Sequence, residues 1–292
     1  MTDAQEYIEM WDLAAWRAAT GERRSELAQA VMRRARDMIF EGFEQHAGHP
    51  VAVYVHRTSG LPFSFVPGGL MNMGLSQAER ETLGDSYDPE LDTATPPKQV
   101  CVGPMLVLQE PLVDLHWGTQ SGARALHTWL FGGHPPAHFA ALDSIPATLE
   151  SLGWQLPWEA QWEFAARGGE AGALTFAGNA IPGAEHLARI LSPDDSDPPR
   201  NAYGLGGFGA FPEVCRDAWR SHHGIERVDA GGELGVLRGG AALLPEEDLC
   251  RDWILMLTAH RFHDPAFAPA AAIRPVVDLS EGFDGDAFGH QA

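Results

Sequence analysis

The sequence predicts an α+β domain made of short strands and abundant ordered loop, preceded by an N-terminal helical hairpin. Three observations lead there. Gly 32 and Pro 21 in 292 residues are too many turn formers for a helical bundle. Apolar residues recur at three- and four-residue spacing near the start of the chain, the period of a helix face. From Pro50 onward they fall into short runs, the first strictly alternating, between Gly, Pro and Ser clusters.

Taken in order, Tyr7, Ile8, Trp11, Ala14, Ala15 and Ala18 form one apolar stripe, and Thr20–Gly21 breaks it. A second stripe, Leu27, Val31, Ala35, Ile39 and Phe43, is expected to continue as helix to about residue 46. The pair should pack on the main domain, leaving Arg23, Arg24, Arg33, Arg34 and Arg36 on a solvated face. At Pro50 the period becomes two: Val51, Val53 and Val55 alternate, and a Thr-Ser-Gly turn leads into LPFSFV, which reads as a hairpin. Residues 76–97 are polar and acidic and end in Pro-Pro, so a long surface loop is expected. VCVGPMLVLQEPL reads as strand, residues 142–152 and 158–167 as short helices, the latter with Pro157 as its first helical residue. Short strands are expected near Val236–Leu237 and Ile273–Val277. This divides the chain into an N-terminal helical extension (1–49), a main domain (50–279) and a flexible acidic tail (280–292).

Bulk chemistry narrows the function. A net charge of −20 disfavours nucleic acid and anionic membrane as partners, because both recruit basic surface. No apolar run approaches the roughly 18 residues of a membrane span, and the start of the chain lacks a basic segment followed by an apolar one. Cys101, Cys215 and Cys250 make no C-x-x-C pair and no disulfide framework. Cytoplasmic residence is the expectation.

Five segments carry a more specific signal: FVPGGLMNMGLS (65–76), LPWEAQWEFAARGG (156–169), NAYGLGGFGAFPEV (201–214), VLRGG (236–240) and AIRPVVDL (272–279). In this order and spacing they resemble the formylglycine-generating-enzyme, or sulfatase-modifying-factor, family. The resemblance covers about residues 50–279 and implies a C-type-lectin-like α+β fold. It also implies an oxygen-dependent copper oxidase, with two cysteines shortly after R-G-G binding one Cu(I), the soft-ligand set that ion prefers. Aligned on TAHR, which ends at Arg261, those two positions fall near Asp248 and Trp253, and Cys250 stands alone between them. The stretch after R-G-G is also longer and more apolar than the family pattern. The family's calcium motif is eroded as well: Gly207 and Ala210 stand where amide or acid ligands belong, and Glu213 alone matches.

Beside the resemblance, the residues have their own reading. Glu159, Trp162, Glu163 and Arg167 sit at helical spacing and are expected to form a buried ion-pair network around the Trp, a scaffold role rather than acid–base catalysis. Arg238 and Arg274 are given the same structural role. Cys215 and Cys250 are weak catalytic candidates, each expected as a packed thiol. The His134–His138 pair has Pro135 and Pro136 between its members, which forbids the helical spacing of an iron site. His46, His49, His222, His223, His260, His263 and the run Asp194, Asp195 and Asp197 offer spacing without a supporting motif. Copper and iron are therefore not expected, and calcium only at an eroded site. The expected function is a non-catalytic member that binds a protein, peptide or small ligand, a protein or peptide partner being of basic character, through Glu246, Glu247, Asp248 and Arg261. The alternatives are an oxygen- and metal-dependent oxidoreductase and a structural or assembly subunit.

Overall fold

The computed structural model describes residues 9–86, 91, 96–112, 145–169, 175, 200–209, 211–218, 235–239 and 272–280. At its centre is a five-stranded antiparallel sheet in the order β1-β2-β3-β6-β9, formed by β1 Met38–His46, β2 His49–His56, β3 Pro62–Val66, β6 Met105–Leu108 and β9 Val276–Asp278. The strand period of two sorts its side chains. Phe63, Phe65, Leu106 and Leu108 face one core together with Trp154 and the N-terminal helices. Val66, Met105, Val107 and Val276 face a second core built around Trp162 and Phe164. The inner strands β3 and β6 are therefore covered on both faces, and β6 reads as an uninterrupted apolar run.

The N-terminal hairpin is present as α1 Leu13–Ala18 and α2 Gly21–Arg34. Asp12 caps α1 by accepting from Ala14 N–H at 2.7 Å, and Thr20 caps α2 by accepting from Arg23 N–H at 3.2 Å. Leu27, Ala28 and Val31 of α2 enter the first core, and Tyr54 of β2 donates to Ala28 O at 3.1 Å. Trp16 of α1 lies 4.7 Å from Phe65, ring centre to ring centre. Arg33, Arg34 and Arg36 are exposed, whereas Arg23 pairs with Glu9 and Glu26, and Arg24 closes the end of α1 through the Ala19 carbonyl.

The helix does not continue to residue 46. It ends at Arg34, and residues 38–46 are the strand β1, which pairs with β2 along its whole length. The four-residue spacing of Ala35, Ile39 and Phe43 is coincidental. A bulge between Phe40 and Gly42 offsets the two-residue alternation that would have revealed the strand. The sheet thus begins at Met38, upstream of Pro50.

Two further corrections concern local chemistry. Residues 77–83, expected as loop, form the helix α3 Gln77–Leu83. Ser76 Oγ accepts from Glu79 N–H at 3.3 Å and Glu79 Oε2 accepts from Ser76 N–H at 2.6 Å, a reciprocal cap. The helix α5 Glu159–Ala166 starts two residues after Pro157, with Trp158 as its N-cap residue. The remaining elements are α4 Ile145–Glu150 and two small antiparallel ribbons. One pairs β4 Gly69–Met73 with β5 Lys98–Val102; the other pairs β7 Glu213–Ala218 with β8 Gly235–Arg238. Helix α5 packs against β4, β5 and β7 and so joins the two ribbons. No helix among the described residues is long and apolar enough to cross a membrane.

Candidate functional site

Every residue of α5 except Ala160 is buried, so its charged side chains need partners within the protein. They find them on three other elements. Glu163 Oε1 accepts from Arg167 Nε at 2.9 Å and from Gly74 N–H at 2.8 Å, while its Oε2 accepts from Arg238 at 2.6 Å. Arg238 also donates to Glu159 at 2.6 Å, and its guanidinium lies 5.1 Å from the Trp162 ring centre. Arg167 reaches out to Glu79 on α3 and to the Gly74 carbonyl. The first turn of α5 is capped from β7, where Asp217 accepts from Glu159 N–H.

A second group adjoins the first. Glu213, fully buried, accepts from Arg274 Nε at 2.8 Å and from a terminal nitrogen of Arg274 at 2.9 Å. Its Oε2 also accepts the Trp162 indole N–H at 2.8 Å. Arg274 spends its other donors on the carbonyls of Leu108, Gln109 and Gly206 and lies 4.0 Å from the Phe208 ring centre. Burial by itself would raise the Glu163 carboxyl, but Arg167, Arg238 and the Gly74 N–H outweigh it and hold it below its ordinary value. The scaffold reading of Glu159, Glu163, Arg167, Arg238 and Arg274 is what this geometry displays. Sequence reasoning missed Glu79 and Asp217. The Ser76-x-x-Glu79 capping signature was readable for the first; for the cap at the start of α5 there was no local signal.

Both oxygens of Glu213 are committed to Arg274 and Trp162, so the carboxylate that matches the family's calcium motif is engaged in an ion pair. Gly207 packs against Pro111, and Asn201 knits its own turn by accepting from the N–H groups of Tyr203 and Leu205. Cys215, two residues after Glu213, is buried among the same charges. Burial pushes its thiol well above the ordinary value; Arg238 pulls it down, and Asp217, Glu159 and Glu213 push it up. Cys101 is exposed on β5, opposite Leu70. His46 and His49 face each other at the β1–β2 turn, where His46 contacts Glu44 at 3.0 Å. Among the described residues no three His, Cys, Asp or Glu side chains converge as a metal site.

The other candidates, Glu246, Glu247, Asp248, Cys250 and Arg261, lie outside the described residues, as do the remaining histidines discussed above and Asp194, Asp195 and Asp197. Their stretch is nevertheless fixed at both ends. Glu213 pairs with Arg238 on one side and bridges Ala272 on the other, so the residues before and after that stretch lie on either flank of one residue. Gly239 makes the exit turn at φ +77, where a Cβ would stand 2.8 Å from the Phe211 carbonyl oxygen.

Comparison with known proteins agrees with this architecture. A family model described as the sulfatase-modifying factor enzyme 1-like domain matches residues 123–270. The formylglycine-generating enzyme of Mus musculus is 31% identical over 157 residues, 45% of this chain and 41% of that protein. The chain thus matches less than half the length of that relative. The solved structure of PvdO from Pseudomonas aeruginosa superposes with a TM-score of 0.52 at 18% identity, over 78% of this chain and 98% of that one, a likeness of fold alone. The domain match, the shared fold and the ordered motifs around the buried Arg–Glu network place the chain in the formylglycine-generating-enzyme family, as a divergent member.

Proposed function

We propose that this chain is a binding member of its family, a pseudoenzyme that takes a basic peptide or protein segment into the cleft bordered by residues 240–271. The observation that carries the reading is the position of Cys215. A two-thiolate Cu(I) site needs a second accessible, ionisable cysteine beside Cys250. Cys215 is packed at 1% exposure with its thiol held protonated by burial, and Cys101 lies on the exposed face of a different ribbon. Cys101 and Cys215 therefore offer no ready thiolate pair, which supports this reading, and no step through copper is derived. The acidic run Glu246, Glu247 and Asp248, with Pro245 before it, supports a cationic ligand, in a chain of net charge −20.

Two measurements test this. In a Cu(I) competition against a strong chelator, the protein is expected to yield the metal, and to leave the thiol of a C-x-P-x-R peptide unoxidised. Retention that disappears in both Cys215→Ser and Cys250→Ser would overturn the reading. Binding of basic peptides from a library, followed across salt, should weaken when Glu246, Glu247 and Asp248 are together replaced by Ala. Unchanged affinity of the triple variant at low and high salt would remove this cleft from consideration.

A second reading, an oxygen- and metal-dependent oxidoreductase, is favoured by the 31% identity to the mouse enzyme. Near-stoichiometric copper or iron in the purified protein would establish it in place of the first.

A further inference from the structure

We infer that Arg17 and Tyr203 form a binding site for a small oxyanion, a carboxylate or phosphate group, where α1 approaches Gly169 just beyond the C-terminal end of α5. Tyr203 is 2% exposed, and its hydroxyl makes no hydrogen bond. Burial raises its pKa, so the group remains a neutral O–H donor. Arg17 lies within electrostatic reach of that hydroxyl, and its Nε, also buried, makes no hydrogen bond. The guanidinium is permanently charged, and among the described residues no carboxylate pairs with it.

Packing brings the two groups together. The Tyr203 hydroxyl and the Leu13 side chain converge on the bare face of Gly169, so closely that a Cβ there would overlap both. Arg17 follows Leu13 by one helical turn and shares its face of α1. The Tyr203 ring is held against Phe164, 6.4 Å away and stacked, which fixes where the hydroxyl points. Two donors without hydrogen-bond partners, one of them on a cation within electrostatic reach of the other, thus lie near a residue with no side chain. Buried donors in folded proteins almost always have an acceptor. An oxyanion supplies acceptors to both and the opposite charge to Arg17. Among the described residues, nothing in the Arg–Glu network uses this corner.

The test uses the full chain and trifluoroacetate as a carboxylate probe, followed by fluorine NMR line width at constant ionic strength, with inorganic phosphate as competitor. Arg17→Gln removes the charge, and Tyr203→Phe removes only the unpartnered hydroxyl while keeping the ring. Saturable binding to the parent protein is expected, displaced by phosphate and weakened about tenfold in each variant. Thermal melting without the anion should be unchanged or higher for Tyr203→Phe, which separates loss of binding from loss of folding. Absence of saturable binding to the parent protein, or equal affinity in all three proteins, would overturn the site and leave the hydroxyl to a buried water.

Discussion

The indole N–H of Trp162 and the guanidinium Nε of Arg274 donate to the same oxygen of Glu213, each at 2.8 Å. One carboxylate oxygen thereby ties helix α5 to strand β7 and to the segment entering β9. Trp162→Ala removes both the donor and a side chain with 2% exposure, and should cost about 3–5 kcal/mol. Trp162→Phe keeps much of the ring and should cost about 1–3 kcal/mol. Denaturant midpoints give both values; a Trp162→Ala protein as stable as the parent would show that α5 is not an anchor.

Arg238 holds Glu159 and Glu163 at once, so its truncation leaves two buried carboxylates short of charge. Arg238→Met is expected to lose about 3–5 kcal/mol of stability, measured the same way. Arg167→Ala, which strands Glu79 and leaves Glu163 with Arg238 alone, belongs to the same range.

The pH dependence follows from Glu163. Its carboxyl is held below the ordinary value of 4.5 in the folded protein, so the unfolded chain takes up its proton first as pH falls. The stability from this group is complete above that value and is lost as pH drops through the folded pKa. Glu163→Gln should therefore be less stable near neutrality yet show a shallower decline in acid. Urea midpoints between about pH 3 and 7 give the two slopes, and equal slopes would contradict the assignment.

Thiol labelling separates the cysteines. In a Cys250→Ser background, a maleimide should modify Cys101 in the native protein and Cys215 only in denaturant, because one is exposed and the other packed beneath the Arg–Glu network. Rapid native modification of both, counted by mass spectrometry, would place Cys215 at the surface.

Backbone strain at the exit turn can be measured against a neutral control. Gly239→Ala should destabilise by about 1–3 kcal/mol, since the turn holds φ at +77 and the new Cβ meets the Phe211 carbonyl oxygen. Gly21→Ala, at the start of α2 where a Cβ meets nothing within 4 Å, should be neutral or mildly stabilising. Calorimetric melting distinguishes the two.

The network was legible in the sequence where it rests on helical spacing: Glu159, Trp162, Glu163 and Arg167 are offset so that one face of α5 carries them. That Arg238 serves Glu159 and Glu163 while Arg274 serves Glu213 depends on how strands cross the helix, and no local pattern encodes it. Glu79 was hidden by composition, because an acidic, polar stretch reads as solvated loop unless its Ser-x-x-Glu cap is weighed. The strand at 38–46 was misread since an intact four-residue spacing outweighed a two-residue alternation interrupted at Gly42. For the candidate cleft, the sequence supplied residues and the fold supplies the two fixed ends of their stretch.

Those fixed ends have an evolutionary consequence. Because Arg238 and Ala272 are both neighbours of Glu213, the points where the intervening chain is attached stand only about 10 Å apart, two strand spacings. Closing a chain between such points costs little more when the chain is longer, about 0.6 kcal/mol for each doubling of length. A change in the length of the sequence between 239 and 272 therefore adds little to the closure cost and leaves the Arg–Glu scaffold at its two attachment points in place. Sequence change between those two points can in this way accumulate without rebuilding the core.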